Sequence, residues 1–255
     1  MQIKRSCQVQ GCRVQIYEDH AAACRAVAEE IARGLAAREH YVLNIAGGST
    51  ILGVWDSLVK SELDLRRAEI FWGDEHITEP QSKQNNFALA WPYVRELIER
   101  GVLLPQKVHR IPTWNPREQR PFTYEEAQLA AQAYAAEIEA AGEQFDLSII
   151  GLGSDFHTAS LLPGVPREVL ESDRLVEAVA YSSDLRITLT PKAFKRSDRV
   201  IMLLTGQKKA PALWEILTQE IDLQRRPGQL IRLLPNTLII TDREAAALLL
   251  EEGLC

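Results

Sequence analysis

Short apolar runs alternate with longer segments of helical periodicity along most of the chain. The strand-like runs are 12–17, 41–46, 68–75, 107–111, 145–152, 175–181, 186–190, 199–206 and 237–242. The helix-like segments are 21–38, 51–63, 87–100, 123–141, 208–219 and 243–252. Continuous Val, Ile and Leu runs separated by helices are typical of a parallel sheet that is buried on both faces. The pattern therefore predicts an α/β fold, with a mostly parallel sheet covered by helices on both faces.

No internal repeat or long linker divides the chain, so we expect a single domain over residues 1–255. Thr123 followed by Glu126 is a capping-box pattern, which predicts that a helix begins there. The segment 113–121 holds two prolines and several charges, and it is predicted to be an exposed loop.

Four polar loops follow apolar strands of the predicted sheet. They are GGST (47–50), GDEHITEP (73–80), GLGSDFHTAS (151–160) and TGQKKA (205–210). In sheets of this kind, ligands bind beyond the carboxyl ends of the strands, where loops lead into helices. These loops are therefore the places to look for chemistry.

The loop Gly47-Gly48-Ser49-Thr50 can form a tight turn, because glycine allows close backbone approach. Ser49 or Thr50 can cap the next helix, whose free N–H groups then suit an anion such as phosphate. A plain glycine turn with a serine cap explains the same residues. No Walker or GxGxxG pattern is present, which argues against a nucleoside triphosphate or a dinucleotide.

Asp74, Glu75 and His76 follow the strand at 68–75. Such carboxylates can bind sugar hydroxyls or orient a base, and His76 can supply a partial positive charge. Alternatively, the carboxylates cap a neighbouring helix or hold a loop through backbone N–H groups, and His76 is a solvated surface residue.

Asp155 and His157 lie two residues apart at the end of another buried strand. A histidine titrates near neutral pH and can act as a general base, and a neighbouring carboxylate fixes its tautomer. The alternative is that Asp155 caps a short helix over 158–162 and that His157 is incidental.

In the loop at 205–210, Lys208 and Lys209 oppose the helix dipole unless an anion binds there. They can equally be solvated surface lysines. Arg186 is a further cation, and it can equally be a surface residue.

The composition narrows the classes of partner. A net charge of −6 over 255 residues argues against a broad nucleic-acid footprint. No apolar run approaches the roughly 20 residues that span a bilayer, and residues 1–12 lack the apolar core of a signal peptide. The four cysteines form no CxxC pair and show no zinc-ligand spacing with the histidines. We expect reduced thiols in a cytoplasmic protein.

Several blocks of the chain, taken together, resemble the 6-phosphogluconolactonase family, the hydrolases of the oxidative pentose phosphate pathway. The blocks are AGGST, FWGDE, the downstream Asn86, FDLSIIGLGSDFHTASLLPG, RITLT and LLTGQKKA. Their order and spacing agree with the family, and HTASL-x-PG is the most specific of them. The resemblance implies a single Rossmann-like α/β domain that needs no metal or cofactor.

The resemblance also implies roles for individual residues. His157 would be the general base that activates water against the lactone carbonyl, and Asp155 would orient that histidine or contact the substrate. The implied substrate- or phosphate-binding residues are Gly47, Gly48, Ser49, Thr50, Asp74, His76, Asn86, Arg186 and Lys209.

The chain departs from the family pattern in these loops. His76 replaces the arginine that follows Gly-Asp-Glu, which predicts weaker or pH-dependent phosphate binding. Phe156 replaces a glycine, which predicts a reshaped loop with the ring over the sugar site. Ile51 and the segment YSSDL (181–185) replace proline-containing sequences. Lys192 and Arg196 are candidates to replace the missing cation.

The first functional hypothesis is hydrolysis of 6-phospho-D-glucono-1,5-lactone to 6-phosphogluconate. A second is a protein on a lactonase scaffold that binds a sugar phosphate or a protein partner without turnover, motivated by His76 and Phe156. A third is a deaminase or isomerase acting on an aminosugar or pentose phosphate, which the HTAS sequence disfavours. A monomer and a dimer are both compatible with the sequence.

Overall fold

The computed structural model describes residues 3–142, 144–182 and 184–255. The strands are β1 (Arg5–Val9), β2 (Cys12–Tyr17), β3 (Tyr41–Ile45), β4 (Ala68–Trp72), β5 (Asp74–His76), β6 (Val108–His109), β7 (Trp114–Asn115), β8 (Arg120–Pro121), β9 (Leu147–Gly151), β10 (Val176–Tyr181), β11 (Asp184–Leu189), β12 (Val200–Leu204) and β13 (Thr237–Asp242). The α-helices are α1 (His20–Ala37), α2 (Ser49–Lys60), α3 (Asn86–Glu99), α4 (Tyr124–Ala141), α5 (Arg167–Leu170), α6 (Pro191–Lys195), α7 (Ala210–Thr218) and α8 (Ala247–Glu251). Three 3₁₀ helices cover Pro105–Lys107, Gln207–Lys209 and Pro227–Arg232.

The main sheet has eight strands in the order β1-β2-β13-β12-β9-β3-β4-β6. Every neighbouring pair in it is parallel except β1 and β2, which are antiparallel. The central strands β3 and β12 are buried at every position, since helices cover both faces. This confirms the predicted α/β fold.

The strand order reverses direction between β3 and β9. From β3 the chain moves outward to β4 and β6, and from β9 it moves the other way to β12 and β13. Adjacent strands whose connections diverge leave a crevice beyond their carboxyl ends, which is where ligands bind in this kind of sheet. The Ala46 N–H donates to the Ile149 carbonyl at 2.9 Å, so the GGST loop starts beside the end of β9.

A smaller antiparallel sheet, in the order β10-β11-β5, extends beyond the carboxyl end of β4. Gly73 separates β4 from β5, so the single strand predicted over 68–75 is interrupted there. The Gly73 N–H donates to the Ile45 carbonyl at 3.2 Å, and its own carbonyl accepts from the Leu189 N–H at 2.8 Å. Gly73 therefore joins the two sheets.

The helices pack against one another and against both sheets. Helix α2 contacts both α1 and α3, while α4 packs against β10 and β11. The capping box predicted for Thr123 and Glu126 is present at the start of α4. No helix among the described residues is both long and apolar enough to span a bilayer.

Two expectations are corrected by the structure. The predicted loop at 113–121 contains the hairpin β7–β8, and Thr113 is buried, with its hydroxyl donating to the Thr78 carbonyl at 2.9 Å. Cys7 and Cys255 form a disulfide with Cα atoms 5.3 Å apart, so the prediction of reduced thiols was wrong for this pair. The pairing joins β1 to the last residue, a long-range contact that the cysteine spacing does not reveal. Cys12 and Cys24 are free and buried.

Candidate active site

The GGST turn leads directly into α2. Gly48 is the N-cap residue and has φ +91°, a left-handed conformation that glycine adopts without strain. Ser49 and Thr50 are the first two residues of the helix, and neither side chain caps it, so the predicted serine or threonine cap was wrong. The first N–H groups of this 12-residue helix therefore lack side-chain caps at an exposed turn, which suits an anion.

Asn86 lies against this turn. A Cβ atom at Gly47 would collide with the Asn86 side chain, so only glycine permits the approach. The Asn86 side-chain amide donates to the Asp74 carbonyl at 3.0 Å. The loop after β3, the strand β5 and the start of α3 thus meet at one place.

Glu75 closes the start of α3. Its carboxylate accepts the N–H groups of Asn86 at 2.7 Å, Phe87 at 2.9 Å and His76 at 2.9 Å. The side chain is 1% exposed, and burial raises the pKa of Glu75 to about 8 against the lowering effect of these donors. The alternative in which a carboxylate of this loop caps a helix is therefore correct for Glu75.

Asp74 points to the opposite side of β5 and braces the loop that carries His157. Its Oδ2 accepts the Ser160 hydroxyl at 2.7 Å, and both residues are buried. The Thr188 hydroxyl oxygen, directly across from Asp74 on β11, accepts the Ser160 N–H at 3.2 Å. This face of the small sheet is therefore turned towards the turn that follows His157.

The turn itself is not helical. Thr158 pairs with Leu161 as an isolated antiparallel bridge, and Ala159 has φ +48°, so the predicted short helix over 158–162 is absent. The Tyr181 hydroxyl donates to the Ser160 carbonyl at 2.7 Å and accepts the Leu162 N–H at 3.1 Å. Hydrogen bonds from three strands thus hold the turn in a non-helical conformation.

His157 and Asp155 form a hydrogen-bonded pair. His157 Nδ1 lies 2.5 Å from Asp155 Oδ1, and a Cβ at Gly153 would collide with both side chains. The His157 side chain is 37% exposed, and its Nε2 has no hydrogen-bond partner among the described residues. Burial raises the pKa of Asp155, but the His157 charge and hydrogen bond outweigh it, so the pKa is lowered overall. An ionised Asp155 holds the proton on Nδ1 and leaves the Nε2 lone pair available.

Phe156 lies between them with φ +74°. This is the left-handed backbone that glycine adopts freely, and a bulky residue retains it at a cost of roughly 1–2 kcal/mol. The Phe156 carbonyl accepts the Gly228 N–H at 2.8 Å, and the ring is partly buried against the hydrophobic core. The backbone at Phe156 therefore has a conformation typical of glycine, and the ring packs on the core.

Lys209 lies in the 3₁₀ turn after β12. The turn begins at Gly206, which has φ +89° and donates its N–H to both Asp242 carboxylate oxygens at 3.0 Å. Burial lowers the pKa of the half-buried Lys209, and the Asp155 carboxylate opposes that shift. Lys209 therefore lies within electrostatic range of Asp155 in the His157 loop, whereas Lys208 is exposed.

Arg186 and His76 are paired directly across β11 and β5. Arg186 Nε donates to Asp184 Oδ2 at 2.6 Å. His76 Nδ1 lies 3.2 Å from the same oxygen, an ion-pair distance, but the angle forms no hydrogen bond. Burial lowers the pKa of His76, and the Arg186 charge lowers it further, so the imidazole is largely neutral at neutral pH. The fixed positive charge at this position belongs to Arg186.

Lys192 and Arg196 do not replace the missing cation. The Arg196 carbonyl accepts the Phe145 N–H at 3.0 Å, just before β9 begins and therefore at the opposite end of the sheet. Lys192 binds the Asp173 carbonyl, and with Arg196 it lines a separate cavity of about 260 Å³. They were candidates only through closeness in sequence to β11, which does not imply closeness to its outer end.

The residues that support the site carry no recognisable signal in the sequence. Ser160 and Tyr181 hold the turn after His157, and Asp184 contacts Arg186. Ser160 was visible only as part of the HTAS block. Tyr181 and Asp184 belong to YSSDL, which the sequence marked only as a departure. Their partners lie on distant strands, so no local pattern signalled them.

A cavity of about 850 Å³ lies between α1 and α2 and borders this region. Its lining includes Ser49 of the GGST turn and His20 at the start of α1. Among the described residues, no group of three His, Cys, Asp or Glu side chains is placed to hold a metal ion.

The arrangement combines an oriented imidazole with an available nitrogen, two cations and an exposed helix N-terminus. An imidazole of this kind can remove a proton from water as the water attacks an electrophilic carbonyl. The cations and the helix N-terminus suit a substrate that also carries an anionic group.

The sequence profile of the family described as "Glucosamine-6-phosphate isomerases/6-phosphogluconolactonase" matches residues 18–239. A protein named 6-phosphogluconolactonase from Synechocystis sp. is 31% identical over 91% of this chain and 93% of its own length. One of the same name from Mycobacterium leprae is 30% identical, over 92% of this chain and 97% of its own length. The crystal structure of 6-phosphogluconolactonase from Thermotoga maritima superposes with a TM-score of 0.71 at 27% identity, covering 90% of this chain and 98% of that one.

Proposed function

Because the chain belongs to the glucosamine-6-phosphate isomerase/6-phosphogluconolactonase family, we propose that it hydrolyses 6-phospho-D-glucono-1,5-lactone to 6-phosphogluconate, in the oxidative pentose phosphate pathway. The protein is an enzyme of the carboxylic ester hydrolase class. The observation that carries the proposal is the Asp155–His157 pair, which leaves Nε2 available beside the strand-order reversal. The names of relatives that cover nearly the whole chain support the same reaction.

The proposed reaction needs one base. His157 Nε2 takes a proton from water as the water oxygen bonds to the lactone carbonyl carbon. The bond between that carbon and the ring oxygen then breaks, and the ring oxygen takes up the proton that His157 had removed from the water, giving the open-chain acid and restoring the free base. Asp155 keeps the imidazole in the productive tautomer and stabilises its protonated form. A lactone carbonyl is already electrophilic, so no covalent nucleophile is required.

The phosphate end of the substrate is proposed to bind where the cations and the GGST turn meet. Arg186 and Lys209 supply positive charge, and the first N–H groups of α2 supply donors. His76 adds a neutral donor, and Gly47 keeps the backbone close to Asn86. Other residues proposed to line the substrate are Gly48, Ser49, Thr50 and Asp74.

We further propose that residues 1–255 act as one domain and that the protein works in the cytoplasm. In a reducing cytoplasm, Cys7 and Cys255 would be held as two neighbouring thiols with Cα atoms 5.3 Å apart. Counting accessible thiols after rapid alkylation of freshly lysed cells tests which form is present.

The decisive experiment is a coupled lactonase assay on the purified chain. Lactone is generated by oxidation of glucose 6-phosphate, and 6-phosphogluconate is followed through its dehydrogenase. The rate without enzyme is measured in parallel and subtracted from every rate. The His157→Ala variant is assayed beside the wild type as the control without the proposed base. Turnover far above that background is expected. A purified, folded chain that leaves the background rate unchanged would overturn the proposal and favour a binding protein without turnover.

The aminosugar alternative is tested with the same preparation. Glucosamine 6-phosphate is supplied and ammonia release is measured. No release is expected, because the HTAS block resembles the lactonases. Ammonia release together with an unchanged lactone background would assign the chain to the deaminase branch of its family.

A further inference from the structure

His20, the first residue of α1, lies between two of the proposed substrate loops. Its Nδ1 is 2.8 Å from the Thr205 hydroxyl oxygen, at the end of β12. A Cβ at Gly53 would lie 2.6 Å from His20 Nε2, so the ring sits directly on the backbone of α2. One imidazole therefore contacts both the helix that follows the GGST turn and the loop that carries Lys209.

Cys24, one turn later in α1, completes the contact with α2. Its Sγ lies 3.5 Å from His20 Nε2 and 3.6 Å from the Thr50 carbonyl oxygen. Burial raises the pKa of Cys24 to about 12, so the thiol stays protonated and can donate to that carbonyl. The start of α1 is thus hydrogen-bonded to the first turn of α2.

On the other side, Thr205 leads directly into the turn that presents Lys209. The next residue, Gly206, is fixed by Asp242, and its carbonyl accepts the Lys209 N–H at 2.9 Å. A shift of Thr205 would therefore move the lysine with the turn. Within the described residues, the hydrogen bond between His20 and Thr205 is the side-chain contact that ties Thr205 to the α2 side of the site.

We propose that His20 is a positioning residue which sets the spacing between the N-terminus of α2 and Lys209, and so the affinity for the phosphate group of the substrate. The inference rests on the proposed function, because it assumes that these two elements bind the phosphate. It predicts an effect on binding and little effect on the chemical step, since His157 lies on a different loop.

The test compares His20→Ala, His20→Asn and His20→Gln. Asparagine places a polar atom near the position of Nδ1 and can bond Thr205, whereas glutamine places its amide near Nε2. We expect KM for the lactone to rise about 3- to 10-fold in the alanine and glutamine variants, the value of one hydrogen bond, with kcat within about twofold. The asparagine variant should recover most of the affinity. His40→Ala, a half-exposed histidine that lies near Glu69, is the matched control.

A calorimetric titration with 6-phosphogluconate measures binding without turnover and keeps the two proposals separable. A wild type that binds 6-phosphogluconate but does not hydrolyse lactone overturns the proposed function and leaves the His20 comparison intact. A wild type that neither binds 6-phosphogluconate nor hydrolyses lactone overturns both. Unchanged dissociation constants in His20→Ala, at an unchanged melting temperature, overturn the role of His20.

Thr205→Val keeps the test valid if His20→Ala fails to fold. It removes the same hydrogen bond from the other partner with little change of side-chain shape. The two changes together should weaken binding no more than either one alone, since they remove one shared interaction. Additive effects would show that His20 and Thr205 act independently, which overturns the inference.

Discussion

Among the described residues, His109 and His157 are hydrogen-bonded to carboxylates, yet their surroundings differ. His109 Nε2 lies 2.6 Å from Glu69, and its Nδ1 lies 3.0 Å from Glu137. Its ring stacks on Phe71 with centroids 4.2 Å apart. His157 uses one nitrogen for Asp155 and leaves the other available.

The positions of the two rings in the fold explain the contrast. His109 is on the edge strand β6, level with Phe71 inside the sheet, and its two carboxylates come from β4 and α4. His157 is in a loop beyond the carboxyl end of β9, at the reversal of strand order. A ring with both nitrogens bonded ties elements together, whereas a ring with one available nitrogen can move a proton. A hydrogen-bonded histidine and carboxylate therefore indicate a catalytic base only when their position in the sheet is also known.

The largest expected effect separates the two histidines directly. His157→Ala should lower kcat/KM by about 10²- to 10⁴-fold, because it removes the base. Its melting temperature should stay within about 2 °C of wild type, since the side chain is partly exposed and packs in a loop. The coupled assay and a thermal melt measure both quantities. Full activity in this variant would remove His157 from the mechanism.

The carboxylates bonded to these two histidines, Asp155 and Glu137, should also differ in their effect on kcat. Asp155→Asn should reduce kcat about 10- to 100-fold, because an amide cannot stabilise the imidazolium and also accommodates the wrong tautomer. Glu137→Gln is the matched control and should keep the wild-type kcat. The comparison between His157 and His109 would break down if Glu137→Gln slowed the reaction as much as Asp155→Asn.

The next effect concerns stability. His109→Ala should destabilise the fold by about 1–3 kcal/mol, because it removes two charge-assisted hydrogen bonds and the contact with Phe71. Glu137→Gln should cost less than about 1 kcal/mol, as that carboxylate is half exposed. Urea unfolding measures both, and kcat per folded molecule should not change. An unchanged unfolding midpoint in His109→Ala would contradict the structural role.

The smallest effect comes from a third histidine, His76. Its pKa is lowered by burial and by Arg186, so its charge, which favours phosphate binding, is present only below that pKa. KM should therefore rise by roughly two- to fivefold as pH increases through the mildly acidic range and stay flat above neutral pH. The substrate phosphate itself titrates near pH 6, so His76→Gln is needed as the reference. A KM profile identical in wild type and His76→Gln would exclude His76 as a phosphate contact.

The central sheet could be predicted because its signal is local. The run VIMLL of β12 is buried at all five positions, and such runs reveal strands without knowledge of their neighbours. The small sheet could not be predicted in the same way. Its pairing of Arg186 with His76 joins segments about 110 residues apart, and it bends the chain at Gly73 within a single apolar run.

The residues of the candidate site also fall into those that a local sequence pattern reveals and those that only distant contacts define. His157, Asp155 and Lys209 could be named because they follow strand ends in recognisable blocks. Ser160 and Tyr181 could not be named, since they support the site through hydrogen bonds between elements that are distant in the sequence. His20 belongs to none of these blocks, and only the packing of α1 beside α2 gives it partners.

The disulfide between Cys7 and Cys255 has a consequence for how the molecule bears load. When it is closed, almost the entire polypeptide forms a covalent ring, because the bond joins residues 248 positions apart. A chain-entropy model assigns such a ring about 5 kcal/mol of stabilisation against unfolding. A force applied to the two ends of the chain would then be carried by the sulfur–sulfur bond, and the strands that lie wholly within the ring would stay unloaded until that bond was reduced.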